Sequence, residues 1–309
     1  MRWDGERWAM EGTSERPGPP DAPGEPVQPQ EAAATPSVAL VVPETDTRLF
    51  SEPYFFEIVH GAAAELHDAG TLMLLIPVHT ERERARLARY LAGDCVDGVL
   101  LASVHGRDPL LDVLERQGVP VVLGGRRPDP EPLSYVHVEN TGGARTAVGH
   151  LLSRGCRTVA TITGDLEQEG ARARLEGYRR ALEDAGVPYD EGLVATADFS
   201  EVSAVAAMSA LLHRRPDLDG VFAASDVMAA GALRVLHEAH RAVPDDVAVV
   251  GFDDSDVARS ADPPLTSVRQ PIEEMGRIMA RLLLDEIADP DRARRQIVLG
   301  TELVGRASA

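Results

Sequence analysis

The chain has 309 residues, 44% hydrophobic and 26% charged, enough to bury one large or two medium cores without a metal or disulfide staple. Fifty acids against 31 bases, every base an arginine, give a formal charge of −19, so binding to nucleic acid or another polyanion would require a concentrated basic patch. The densest arginine runs, "RERARLAR" and "DRARRQ", are interleaved with acids or apolar positions and read as solvated helix faces.

Residues 1–36 hold seven of the 22 prolines, seven acids and three arginines. That composition cannot offset the entropy of ordering and predicts a disordered, proline-rich tail, with Trp3 and Trp8 solvated or loosely packed. From Ser37 the pattern becomes rhythmic. "SVALVV", "TLMLLIP", "VDGVLLA", "VPVVLGG" and "YVHVE" read as strands, separated by the helical stretches "PYFFEIVHGAAAELHDAG", "ERERARLARYLAG" and "DPLLDVLERQG". Glycines at 70, 93 and 118 fall where helix C-caps belong. Near-continuous apolar strands joined by crossover helices predict a parallel sheet covered on both faces.

The rhythm then repeats from "TGGARTAVGHLLSRG" to "VAVVGFDD", which predicts a second lobe like the first. A proline-broken segment, "SDVARSADPPLTSVRQP", leads to a last helix, "IEEMGRIMARLLLDEIA", and a strand, "RQIVLGTELVGR". Cys95 and Cys156 lie far apart without CxxC spacing, as reduced structural thiols do. Neither an export signal nor an apolar run of membrane length is visible, which points to the cytoplasm.

Catalysis finds little support. The first strand-to-helix turn, "VVPETDTRLFSEPYFF", has no glycine to admit a pyrophosphate, and the chain has neither a GxxxxGK[ST] loop nor a GxSxG elbow. "HEAH" at 237–240 is one residue short of the spacing that puts two zinc ligands on one helix face. No cofactor, metal site or enzymatic activity is expected.

Binding is better supported. Ligands of open α/β sheets sit outside the carboxyl ends of the strands, and in a two-lobe protein those ends can face one another. Tyr54 and Phe55 follow the first strand, Arg126 follows "VPVVLGG", Arg174 lies near the head of a helix, Ser225 and Asp226 follow "VFAA", and Asp253 follows "VVGF". Aromatic faces with arginine forks and carboxylates suit a small polyhydroxylated ligand. Each residue also has an ordinary reading: core packing for Phe55, a surface charge for Arg126, a helix i,i+4 partner for Arg174, and helix N-caps for Asp226 and Asp253.

The segment "DGVFAASDVMAAGALRVLHEAHRAVPDDVAVVGFDDSDVARSADPPLTSVRQPIEEMG" strongly resembles the sensor domain of the lactose-repressor/galactose-repressor (LacI/GalR) family of bacterial transcription regulators. The similarity spans roughly 37–309 and includes "VDGVLL", "GVPVVLGGR", "VHVENTGGARTAVGHLLSRG" and "LGTELVGR". It implies a type I periplasmic-binding-protein-like fold: two doubly wound parallel-sheet lobes joined by three crossovers, one built from 37–138 plus 268–296, the other from 139–267 plus 297–309. The implied function is effector sensing in the interlobe cleft to control transcription, with a stand-alone cytoplasmic solute-binding protein as the alternative.

By the same resemblance, Phe55 matches the aromatic after the family's "NP" turn, Arg126 the arginine of "DR", Arg174 the arginine three before Gly177, Ser225 the asparagine of "AND", and Asp253 the first aspartate of "GFDD". Three departures remodel the pocket: Gly125 replaces a common aspartate, Ser225 a common asparagine, and "PETDTRLFSEP" is about five residues longer than the usual "PDxxNP" loop. A carbohydrate effector and a homodimer are implied, with helices around 57–68, 81–91 and 228–238 as pairing candidates and Met228, Ala229, Ala232 and Leu236 the preferred contacts. Family members carry about sixty residues before the first strand, a helix-turn-helix and a hinge helix. Here 36 precede it, rich in helix-breaking proline, so operator binding is expected only if such a head is supplied.

Overall fold

The computed structural model describes residues 2–3, 8–9, 35–91, 93, 95–103, 109–126 and 133–309. Two units are distinguished, 1–34 and 35–309. In the first, Arg2–Trp3 (β1) and Trp8–Ala9 (β2) pair antiparallel with Trp3 opposite Trp8, a pairing the composition did not suggest. The expected disordered tail otherwise lies outside the described residues.

The rhythmic pattern becomes two sheets. In the first lobe β3 (Ser37–Val42) runs into α1 (Asp46–Ser51) and α2 (Pro53–Asp68), then β4 (Leu72–Pro77) and α3 (Glu81–Leu91). β5 (Gly98–Leu101), α4 (Pro109–Gln117), β6 (Val121–Gly124) and β7 (Ser134–Val138) follow. The second lobe holds α5 (Asn140–Ser153), β8 (Val159–Thr163), α6 (Glu169–Asp184), β9 (Val194–Thr196) and α7 (Glu201–Arg214). It continues through β10 (Gly220–Ala223), α8 (Asp226–Glu238), β11 (Ala248–Asp253), α9 (Asp256–Ser260) and β12 (Thr266–Arg269). The chain then returns to the first lobe with α10 (Ile272–Ala288) and β13 (Gln296–Leu299), and ends in the second with β14 (Glu302–Val304).

The first sheet, β13-β7-β6-β5-β3-β4, is parallel throughout; the second, β14-β12-β11-β10-β8-β9, is parallel except for its last pair, β12 with β14. β3 and β10 are apolar on both faces because each feeds two cores. On β3, Val38, Leu40 and Val42 pack beneath α2 and α10, while Ala39 and Val41 point to α3 and α4. On β10, Val221 and Ala223 meet α7 and α8, while Phe222 meets α5 and α6.

Three crossings join the lobes, as expected, at different places. β12 stays in the second sheet to Arg269 and β13 completes the first sheet to Leu299, so the crossings fall at Glu139, Gln270–Pro271 and Gly300–Thr301 rather than after 267 and 296. "RQIVLGTELVGR" is therefore two strands in two sheets, and the proline-broken segment contains a helix and a strand.

α8 corrects one expectation. Met228, Ala229, Ala232 and Leu236 are each 0% exposed within a single chain, packed against the second sheet and α7, and so cannot meet a second copy. An apolar helix needs a cover, and here the chain's own sheet supplies it.

Candidate functional site

The carboxyl ends of both sheets open onto a cleft that encloses about 790 Å3, part of it open to solvent. Six of the seven residues singled out at strand ends line it: Tyr54, Phe55, Arg126, Arg174, Ser225 and Asp253. Asp226 does not. Its carboxylate is 0% exposed and accepts hydrogen bonds from Ser255 N (2.7 Å), Ser255 Oγ (3.0 Å) and Ser267 Oγ (2.5 Å), which pins the ends of β11 and β12 beneath the cleft floor.

Arg174 is the centre of the floor. The second turn of α6 carries it inward, where Nε donates to Asn140 Oδ1 at 2.8 Å and Nη1 donates to the Ala224 carbonyl. Its guanidinium lies 3.9 Å from the centroid of the Phe252 ring, and Nη1 is 3.8 Å from Asp253 Oδ1. Burial pushes the Asp253 carboxyl well above the usual carboxylate range, opposed by Arg174. Gln270 Nε2 donates to the same carboxyl from a crossing segment. Asp253 has φ +112° and Asp254 φ +58°, so the chain leaves β11 through left-handed backbone that costs non-glycine residues on the order of 1–3 kcal/mol each. Burial also raises the Tyr54 phenol to about 12.

A second group spans the two lobes. Gly125 has φ +110°, a conformation open to glycine at no steric cost, which turns the chain out of β6 and delivers Arg126 to the cleft. Arg126 Nη2 is 3.2 Å from Glu169 Oε1 at the start of α6, and His137 Nε2 on β7 is 3.7 Å from Glu169 Oε2. Burial lowers the His137 imidazole pKa against the pull of Glu169. Glu169 Oε2 is buried and has no hydrogen-bond partner.

The third group comes largely from the "PETDTRLFSEP" loop, in which no single residue was expected to line the cleft. α1 begins at Thr45, whose side chain accepts from Arg48 N at 3.3 Å, and places Arg48 between Glu44 (3.0 Å) and Glu52 (3.3 Å) at the cleft wall. Burial raises the Glu52 carboxyl to about 7 and raises Glu44 as well, with Arg48 pulling both down. From the other lobe Phe199 (φ +71°) joins the wall, its ring so close over Gly164 that a Cβ there would lie 2.0 Å from Cζ.

Glu44, Arg48, Glu52, His137, Asn140, Glu169, Phe199 and Gln270 are thus cleft residues beyond those expected. Among the described lining residues four carboxyl groups, Glu44, Glu52, Glu169 and Asp253, face three guanidinium groups, Arg48, Arg126 and Arg174. Each of these guanidinium groups already has a carboxyl partner, which does not favour an anion. Fixed donors, fixed acceptors and the rings of Tyr54, Phe55 and Phe199 instead match a neutral molecule with many hydroxyls.

The family model of a periplasmic binding protein-like domain matches residues 148–309. The HTH-type transcriptional regulator CelR of Thermobifida fusca is 50% identical over 277 residues, 89% of this chain and 81% of the relative. The ribose operon repressor of Escherichia coli K12 is 32% identical over 263 residues, 84% of this chain and 79% of the repressor. A solved transcriptional regulator CelR–cellobiose complex superposes with a TM-score of 0.86 at 49% identity, covering 88% of this chain and 84% of the other.

Proposed function

We propose a function for a chain that belongs to the LacI family of transcriptional regulators: its lobes close on a neutral sugar, and closure changes the regulator's hold on operator DNA. The chain is a regulator, not an enzyme or a stand-alone solute-binding protein. Glu169 carries the reading of the ligand. Its Oε2 is buried without a hydrogen-bond partner, 3.7 Å from His137 Nε2, while Oε1 is held by Arg126 of the other lobe, so a hydroxyl that donates to this carboxyl as the lobes close draws on both lobes at once. Arg174, Asp253, Tyr54, Phe55, Arg126 and Ser225 form the rest of the effector site. The relatives narrow the sugar: CelR is solved with cellobiose, and the other relative is named for ribose, which favours a β-glucoside over a nucleobase.

The regulator acts in the cytoplasm as a homodimer, with operator DNA as partner through a DNA-binding head. Its pairing face is the open edge of the first sheet, where β4 leaves Leu72 58% and Leu74 37% exposed beside α3. Among the described residues no helix is long and apolar enough to cross a membrane.

Thermal denaturation with cellobiose, glucose, ribose and hypoxanthine tests the reading. A sugar at 100 times its Kd adds about 2.7 kcal/mol, or roughly 5–10 °C for a chain of this size. A shift with hypoxanthine and none with any sugar would refute it.

A further inference from the structure

The loop after β3, "PETDTRLFSEP", carries α1. Its product is one guanidinium at the cleft wall. Arg48 is held on both sides, Nη1 by Glu44 Oε2 at 3.0 Å and Nε by Glu52 Oε1 at 3.3 Å, with only a quarter of its side chain exposed. It is not the arginine that anchors the floor.

Two guanidinium groups that line the cleft each stand beside a carboxyl group, and the two arrangements are alike. At one station Arg174 stands with the carboxyl of Asp253 and the ring of Tyr54; at the other Arg48 stands with the carboxyls of Glu44 and Glu52 and the ring of Phe199. One guanidinium, a carboxylate acceptor and an aromatic face are the set that holds one sugar ring.

We propose, resting on the sugar-sensing reading above, that the Arg48 station is a second hexose subsite built by α1, and that it makes the chain select a disaccharide over a monosaccharide. Arg48 donates to ring hydroxyls, Glu44 and Glu52 keep its guanidinium fixed and accept from the same ring, and Phe199 covers an apolar face. A monosaccharide fills only the Arg174 station and leaves the polar groups of the other solvated.

Isothermal titration of cellobiose and glucose into the full chain, and into Arg48→Ala and Phe199→Ala, decides this. Wild type is expected to bind cellobiose more tightly than glucose. Each variant is expected to weaken cellobiose at least tenfold and bring the ratio of the two affinities toward one. Phe199→Ala serves if Arg48→Ala, which leaves two buried carboxyls without a counter-charge, does not fold. Cellobiose binding by wild type with an unchanged ratio in the folded variants overturns the subsite and leaves the sugar reading intact. Binding of neither sugar by wild type overturns both.

Discussion

Replacing Arg174 by alanine is expected to damage the empty protein as well as the site. The wild-type side chain donates two charge-assisted hydrogen bonds, to Asn140 Oδ1 and the Ala224 carbonyl, and lies 3.9 Å from the Phe252 centroid. Such bonds contribute about 1.5–3 kcal/mol each and a desolvated cation–π contact up to about 2. Against them stands the cost of burying a guanidinium, which alanine removes. What alanine cannot restore is a donor for two buried acceptors, or the volume of the side chain. The net loss is about 3–5 kcal/mol, as when one partner is deleted from a buried ion pair, and the melting temperature falls by roughly 10 °C at about 2–4 °C per kcal/mol. Asp253→Asn is the contrasting variant. Burial disfavours the ionised carboxyl there, the amide oxygen can still accept from Gln270, and asparagine tolerates positive φ better than most residues. Its stability is expected within about 1 kcal/mol of wild type. Both variants lose the sugar-induced shift. Urea and thermal denaturation without ligand measure the difference, and equal losses in the two variants would show that Arg174 does not support the floor as described.

Glu52 offers a pH test. Its carboxyl titrates at about 7 in the fold against an ordinary value of 4.5 for a solvated glutamate, so the folded state keeps a proton that the unfolded state releases. The associated stability is present below 4.5 and is lost as pH rises through about 7. Melting temperatures from pH 5 to 8 are expected to fall less steeply for Glu52→Gln than for wild type, and parallel profiles would remove Glu52 as the source. Sedimentation tests the pairing face: Leu72→Asp with Leu74→Asp should yield monomers of normal thermal stability. Met228→Ala should instead lose about 2–5 kcal/mol as a core truncation and still pair. Dissociation by Met228→Ala without loss of stability would contradict its burial.

What was legible in the sequence follows from how strongly each segment's environment is written into its own residues. Strands such as "VVLGG" are apolar throughout because helices cover both faces. α1 was not legible because six residues make fewer than two turns, and its support comes from Arg48 pairing to either side rather than from an apolar period. The strand-end rule found Arg174 and Asp253. It would also have found Ser103, Asn140 and Glu169 had it been carried to every strand-to-helix turn. Phe199 had a signal of its own, a lone aromatic in the polar turn "ADFS". Asp226 and the apolar stripe of α8 failed for a common reason: a sequence shows that a residue wants a partner and is silent on whether the same chain provides it. The crossings at Gln270 and Gly300 were displaced because an apolar stretch does not say which sheet it joins.

The three crossings also govern how the chain is made. Residues 37–138 leave the ribosome early, yet α10 and β13, which cover α2 and pair Gln296 with Tyr135, are synthesised only after the whole second lobe. At roughly 5–20 residues per second that interval is on the order of ten seconds. Throughout it, the cluster that holds Ile58, Ala62 and Leu66 of α2 lacks the side chains of α10. The second lobe can assemble most of its core during that time and then waits only for β14 and the last residues, whereas the first, though begun earlier, stays open until α10 and β13 are made.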